Sequence, residues 1–221
     1  LINRTTRTLS LTEAGHSFYQ RCNEILQELD DAESELTIFG QNPTGKLKVN
    51  CSPGFGKHQL LPLLPRFYEQ YPDLKLELQL TGQAVDLVSE GVDLAIRLGQ
   101  LTDTSLVARK LGESPRILCA SPDYLKRFGT PRTPEELSTH NCLTLSTSEI
   151  FNQWHFHMNG QQDLVHAQGN FTTDNVEALY DYACIGGGIV RLAGFMVEDA
   201  IQRGDLMPLL TEYETDKQWV H

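Results

Sequence analysis

No apolar run in this chain approaches the roughly 20 residues that a membrane span needs, which leaves a transmembrane helix out. No Cys-x-x-Cys occurs. The five cysteines (22, 51, 119, 142 and 184) are odd in number and far apart, which excludes a disulfide framework or zinc ribbon and points to a reducing, cytoplasmic setting. Positive charge is scarce. Lys and Arg number 18 against 29 Asp and Glu, a formal charge of −11, so the bulk of the chain is not built to coat a nucleic acid or an anionic membrane. Internal repeats and low-complexity tracts are absent, as are Gly-x-Ser-x-Gly and any Cys/His pair that would announce a nucleophile. Gly186-Gly187-Gly188 follows a helical pattern rather than a strand and no Lys-Ser/Thr comes after it, so it reads as a helix stop and not a phosphate loop. His155-x-His157 has same-face strand spacing but no neighbouring carboxylate or Cys, and reads as a solvent-facing edge. No enzyme activity, metal or cofactor is therefore predicted. No signal peptide or initiator Met opens the chain. It starts Leu-Ile-Asn-Arg and stops at Gln-Trp-Val-His, the start of a strand pattern, and both ends are expected to be cut.

What is present is organised around residues 45–99. Leu47 to Cys51 is a short apolar run that ends in the breaker-rich Ser-Pro-Gly-Phe-Gly. Leu60, Leu61, Leu64, Phe67, Tyr68 and Tyr71 then recur at helical spacing until Tyr71-Pro72-Asp73. Pro62 falls in the first turn of that predicted helix, and Pro65 is expected to bend it. Leu74, Leu76, Leu78 and Leu80 alternate with polar residues as a half-buried strand. Val85, Leu87 and Val88 predict a short helix, and 92–98 a third strand. This β-α-β-α-β order predicts a parallel sheet flanked by helices. Asp86, Glu90 and Asp93 read as a solvated face.

Ahead of this unit, residues 1–11 hold Arg4 and Arg7 among Thr and Ser with no acid. They read either as a polar hairpin or as a nucleic-acid arm. A long helix follows. Its N-cap is Thr12, with Ser10-x-x-Glu13 as a competing capping box. Phe18, Cys22, Ile25, Leu29, Ala32, Leu36 and Phe39 form an unbroken 4-3 seam, and six acids without a Lys or Arg lie between Glu24 and Glu35. That pattern predicts a coiled-coil partner helix, set off by a hinge at Gly40-Gln-Asn-Pro-Thr-Gly45.

Downstream, 105–111 and 116–120 predict strands, and Ser121-Pro122 a helix start. Thr133-Pro134-Glu135-Glu136 predicts a capping box, and 141–145 a strand. Trp154, Phe156 and Met158 alternate before Asn159-Gly160, a hairpin signal with 161–167 as its return. A strand at 170–173 leads to Asp174-x-x-Glu177, which is expected to cap a helix reaching Cys184. Strand 189–192, a helix over 195–202 and strand 206–210 close the series. Two α/β lobes fit this order better than one sheet.

A parallel sheet binds ligands beyond the carboxyl ends of its strands, here Ser52, Thr81 and Arg97. Arg97 is expected to face that crevice and hold a carboxylate bidentately, the alternative being an internal salt bridge. The loop from Ser52 through Gly54 opens a helix whose free N–H groups suit an anion. Thr81 and Gly82 flank it, Phe55 and Leu98 supply apolar walls, and Thr173 with Asn175 closes over it. Asp174 is expected to cap its own helix rather than face an anion.

Arg4-Thr5-Thr6-Arg7 with Leu11-Thr12-Glu13-Ala14-Gly15, then Gly45-Lys46-Leu47-Lys48-Val49, Leu61-Pro62-Leu63-Leu64-Pro65-Arg66-Phe67, Tyr71-Pro72 and Asp93-Leu94-Ala95-Ile96-Arg97 occur in order. So do Val107-Ala108-Arg109-Lys110-Leu111, Leu118-Cys119-Ala120-Ser121-Pro122 and Gly129-Thr130-Pro131. This series resembles the LysR-type transcriptional regulators, in the subgroup of the meningococcal adhesion regulator and the aromatic-acid-efflux regulator. The resemblance implies an α/β fold of two Rossmann-like subdomains of periplasmic-binding-protein type 2, preceded by a long linker helix. It divides the chain into the end of a winged helix-turn-helix (1–11, with Arg4, Thr5, Thr6 and Arg7 on the wing), a linker and dimerisation helix (12–40) and a hinge (41–45). Subdomain I is then 46–116 with 207–221, and subdomain II 117–206. It implies a homodimer or homotetramer, double-stranded promoter DNA bound by the full-length protein, and a small-molecule effector, expected here to be a carboxylate. Three departures stand out. The recognition helix is absent, Arg191 and Ala193 stand where the family often has an apolar residue and Pro, and the end of subdomain I is missing. The rival reading is an extracytoplasmic solute-binding protein of the same fold.

Overall fold

The computed structural model describes residues 1–4, 9–12, 14–15, 17–19, 21–22, 25, 43–82, 87, 89–99 and 107–221. Contacts divide the chain into two units, residues 1–46 with 66–75, and residues 47–65 with 76–221. In chain order the strands are β1 (Ile2–Arg4), β2 (Leu9–Leu11), β3 (Gly45–Cys51), β4 (Leu74–Leu80), β5 (Leu94–Ile96), β6 (Gly112–Ala120) and β7 (Thr144–Leu145). There follow β8 (Gln153–Met158), β9 (Gln161–His166), β10 (Thr172–Thr173), β11 (Val190–Ala193), β12 (Met207–Pro208), β13 (Glu214–Thr215) and β14 (Lys217–Val220).

In the first unit β1 and β2 pair antiparallel, Asn3 opposite Ser10. Thr12 is the helix cap, its hydroxyl accepting from Gly15 N–H at 3.0 Å, the bond expected of a Thr three residues before the first free amide. Residues 14–15, 17–19, 21–22 and 25 are helical. Two seam positions, Phe18 and Ile25, are more than half exposed, while Cys22 is half-buried. Thr5, Thr6, Arg7, Leu29, Ala32, Leu36 and Phe39 lie outside the described residues, as does most of the short helix predicted around Val85.

The second unit starts with a correction. The Ser-Pro-Gly-Phe-Gly stretch is not a loop but the first turn of a helical run, 53–70. Ser52 is its N-cap and Pro53 occupies the first helical position, where a missing N–H costs nothing. The run changes pitch twice. Gly56–Leu60 is a π-turn, in which Leu61 N–H reaches back to Gly56 O, and Leu61–Leu63 is a 3-10 turn closed by Leu64 N–H on Leu61 O. Both prolines are therefore interior. Pro65 has no N–H to offer Leu61 O, so the amide of Leu64 takes that carbonyl instead, and α-geometry resumes at Leu64–Gln70.

β3 is the middle strand of three, in the order β4-β3-β5. β3 and β5 are parallel, with Asn50 opposite Ala95 and Cys51 opposite Ile96. β5 is shorter than the 92–98 pattern suggests, because the chain then bonds to its own last residues. Arg97 N–H donates to His221 O and His221 N–H to Arg97 O, both at 2.9 Å, and Gly99 N–H to Trp219 O at 2.8 Å. The strand predicted over 105–111 is overturned for the described residues 107–111. They carry no regular structure and are exposed, and Val107 and Leu111 have no face to bury.

β6 is the longest strand among the described residues, nine residues, and has three antiparallel partners there. Its first half, Gly112 to Pro115, pairs with β14. Arg116 to Cys119 pairs with β11, and Cys119 with Ala120 pairs with β12. Thr215 Oγ1 donates to Arg116 O at 2.5 Å, so the 212–217 stretch runs beside β6 where its partners change. Both sides of its second half are covered. On one side Trp154 and Phe156, wholly buried from alternate positions of β8, pack with Leu118, Tyr124, Leu137 and Ile189. On the other, Leu179, Ala183, Val197 and Ala200 pack on Val190 and Leu192.

The local signals behave as their chemistry predicts. Asn159 and Gly160, both at positive φ, turn β8 into β9. Helix α1 (Pro122–Phe128) has Ser121 accepting from Tyr124 N–H at 3.2 Å. Helix α2 (Val176–Cys184) stops at Gly186, φ 88°, and helix α3 (Gly194–Arg203) at Gly204, φ 82°. A Cβ on Gly187 would lie 2.4 Å from the Tyr182 ring, so the chain packs tightly there. Two caps are corrected. Glu136 accepts from Arg132 N–H at 2.8 Å rather than closing a box on Thr133, and the segment is a 3-10 turn. Asn175, not Asp174, caps α2, its Oδ1 accepting from Glu177 N–H at 2.9 Å. An Asx side chain one residue nearer the helix wins the amide.

Arg191, the departure noted in the sequence, is buried in β11. Its Nη2 donates to Gln153 O at 2.7 Å and its Nη1 stands 3.6 Å from Asp216. Burial, reinforced by the charge of Arg116, pushes this guanidinium down to about 9 against the pull of Asp216. Trp154 anchors the hairpin against this region with no exposed surface. Trp154→Ala should cost about 3–5 kcal/mol, read as a lower urea midpoint with little change in slope.

Candidate functional site

Alternate residues of a strand share a face, and at the carboxyl ends of β3, β4 and β5 this sorts the side chains into two groups. Cys51 and Ile96 lie in one buried cluster with Val220, against which Phe55, Leu60, Leu78 and Leu98 pack. Asn50, opposite Ala95, faces the other way. Arg97, two residues past Ala95, emerges on Asn50's face. Asn50 is wholly buried. Its Oδ1 accepts from Arg97 Nη1 at 2.6 Å, and its Nδ2 donates to Gln79 Oε1 at 3.4 Å. A side-chain relay therefore crosses all three strands.

This contact takes the Nη1 side of the fork expected of Arg97 and leaves the Nε–Nη2 side. Nη1 is spent on Asn50, with Ile96 O a further acceptor at 3.4 Å, so the two Nη atoms do not present themselves side by side. Nη2 is buried with no hydrogen-bond partner. The internal salt bridge set against the ligand role is not seen either, since no carboxylate among the described residues pairs with Arg97. Burial lowers the Arg97 guanidinium, and burial raises the neighbouring Cys51 thiol while the Arg97 charge opposes it. The side chain thus bears a cation whose Nη2 is unused in a half-buried position, which is what an incoming anion would complete.

The other predicted positions divide. Thr81 stands beside β3, its N–H donating to Cys51 O at 3.0 Å, and exposed Gly82 follows. Ser52 Oγ is occupied as a cap, accepting from Phe55 N–H at 3.4 Å. Leu98 packs into the Cys51 cluster and Phe55 stands edge-on to Phe195 at 5.5 Å, so neither forms a wall beside Arg97. Phe55 instead borders a cavity of about 300 Å³ lined with Gln59, Glu113, Phe195 and Glu198, which Ser52, Thr81 and Arg97 do not line. Gly54 is buried against Met196 and Glu177, where a Cβ would lie 2.7 Å from the Met196 sulfur. Thr173 and Asn175 spend their side-chain oxygens on the amides of Asn175 and Glu177.

Comparison with known proteins fits this architecture to a family. Residues 40–220 match the LysR substrate binding domain. The chain is 39% identical over 224 residues to the transcriptional regulator CrgA of Neisseria meningitidis, covering 98% of this chain and 72% of CrgA. It is 34% identical over 221 residues to the transcriptional activator AaeR of Escherichia coli, covering 100% and 72%. The full-length structure of the Vibrio cholerae virulence activator AphB superposes on all of this chain and 75% of its own, with a TM-score of 0.76 at 30% identity. The chain belongs to the LysR-type transcriptional regulators, and its α/β effector domain has the periplasmic-binding-protein type 2 fold. The relatives are transcriptional regulators, which decides against the solute-binding alternative.

Two features escaped sequence reasoning. Asn50 was legible in principle. Lys46, Lys48 and Asn50 alternate with Leu47, Val49 and Cys51, and the middle strand of a covered sheet buries its polar face too, so Asn50 had to find partners. Glu177 was not, because its partners are 119 and 120 residues away. Lys57 Nζ lies 2.6 Å from Glu177 Oε2 and His58 Nε2 3.2 Å from Oε1, while His58 stacks edge-on to Tyr180. The bond to Glu177 raises the Lys57 amine above its ordinary 10.5 against a smaller desolvation. A raised amine stabilises fully below 10.5 and loses that contribution as pH climbs through its folded value. Glu177→Gln should therefore cost about 1 kcal/mol at neutral pH, discounted for the half-exposed amine. The gap from wild type in thermal unfolding should narrow above pH 10.5.

Proposed function

We propose that this protein regulates transcription in response to a small organic anion, taken up at the strand ends around Arg97. The observation that carries this is the buried, unpartnered Nη2 of Arg97 beside the ends of three strands. Ser52, Gly54, Phe55, Thr81, Gly82, Leu98, Thr173 and Asn175 complete the proposed effector region, with Thr81 and Gly82 nearest in the sheet and the others acting through backbone and packing. The proposed subdomains are 46–116 with 207–221, and 117–206. The partner change along β6 between Pro115 and Arg116 supports a division there. Residues 41–45 are the proposed hinge. The effector is proposed to be a carboxylate, and the proposed location is the cytoplasm, where a regulator meets its promoter.

Double-stranded promoter DNA is the proposed partner of the full-length protein. The antiparallel pairing of residues 2–4 with 9–11 supports a wing, on which Arg4, Thr5, Thr6 and Arg7 would meet phosphates. The 12–40 helix is proposed to pair two copies through Phe18, Cys22, Ile25, Leu29, Ala32, Leu36 and Phe39. The exposure of Phe18 and Ile25, both apolar and both on the seam, supports it. Ile25→Asp should lower the oligomeric state in sedimentation, and an unchanged state would remove the helix as a pairing element.

Arg97→Ala should abolish carboxylate binding in calorimetry, with succinate and benzoate as probes, while the full-length protein still binds DNA. Equal binding by the variant, or an effector that proves cationic, would sink the reading.

A further inference from the structure

Arg97 has a flexible side chain at a strand terminus, yet it is held in one place. Its holder is an uncharged amide that is wholly buried and whose own orientation is fixed from the next strand. Asn50 Oδ1 accepts from Arg97 Nη1 at 2.6 Å, and Asn50 Nδ2 donates to Gln79 Oε1 at 3.4 Å. An amide flipped the other way would turn an NH₂ toward a guanidinium that has only donors, so the two contacts fix its sense. The buried partner is neutral. A carboxylate in the same place would hold Arg97 equally well and cancel its charge, whereas an amide holds it and leaves the charge for a ligand. The geometry leaves Nη2 buried and unpartnered.

We infer that Asn50 is the positioning residue for Arg97 and that Gln79 orients Asn50. Together they present Nη2 as a charged donor to the effector's anionic group. This rests on the reading that Arg97 meets the effector. It adds that affinity for anions is set one layer below the contact, by the absence of a charge at position 50.

The test has two arms on the present chain. The first uses no ligand. Nitrogen-15 spectra of the arginine side chains should show hindered rotation of the Arg97 guanidinium in the wild type and free rotation in Asn50→Leu. The second is calorimetry with succinate and benzoate. Asn50→Leu should weaken binding by about ten- to a hundredfold, the loss expected of a charge-assisted contact, and Asn50→Leu with Arg97→Ala should bind no worse than Arg97→Ala alone. Asn50→Asp keeps the shape and serves where Asn50→Leu does not fold. It should keep Arg97 hindered and still lose carboxylate affinity, which a merely structural role for Asn50 would not cause. Unchanged Arg97 rotation in Asn50→Leu overturns the inference, and so does wild-type affinity in Asn50→Asp. If the wild type binds neither probe, or Arg97→Ala binds both, the effector assignment fails and with it the claim that position 50 sets affinity. The rotation arm then decides whether Asn50 holds Arg97.

Discussion

One strand, β6, is hydrogen-bonded to three others that follow it at different places in the chain, and that shared commitment constrains everything around it. β6 gives its first residues to β14 and its last to β11 and β12. Side-chain alternation along it must therefore satisfy two different cores, and its centre carries Arg116, whose guanidinium donates to Gln218 from the returning strand. Burial at that junction holds the Arg116 guanidinium below its ordinary value, with Asp216 opposing. Arg191 from β11 approaches the same aspartate. A buried and a half-buried cation sharing one half-exposed acid make a costly junction, and such junctions hold a geometry more than they add stability.

Much of this fold was legible because its signals are local. Asn159-Gly160 acts through its own backbone and Ser121-Pro122 through the Ser121 hydroxyl on an amide three residues on, and each appears where the sequence puts it. The failures have two causes, a partner far along the chain or a close neighbour that competes for the same role. The 107–111 segment looks like a strand, but the ladder that would hold it is taken by Gly112 onward, facing residues 217–220. Pro62 reads as a helix-start residue only while the start at Pro53 is unknown. Asp174 lost the cap to Asn175 because two Asx side chains compete for one amide, a difference of one residue that spacing does not resolve.

The candidate site shows the same division. Strand ends could be read from the sequence, and Arg97, Thr81 and Ser52 do lie at them. The direction of the Arg97 side chain could not, because it depends on a buried amide two strands' worth of sequence earlier. Ser52 and Asn175 have polar atoms that are spent within the chain, so their type suited a ligand while their bonds do not. In a chain with so large a surplus of acid, a cation with no described carboxylate beside it is the more telling signal.

The bonds between Arg97 and His221 have a consequence for biosynthesis. Residues 45–99 form the sheet's other strands, and they leave the ribosome long before the strand that completes them. At about 5–20 residues per second, an intervening stretch of this length takes on the order of ten seconds to make. For that interval the amides of Arg97 and Gly99 have no strand to meet, and the exposed edge must wait on Trp219 and His221. The nascent chain is open to capture by a chaperone, or by another copy's edge, at the end of β5.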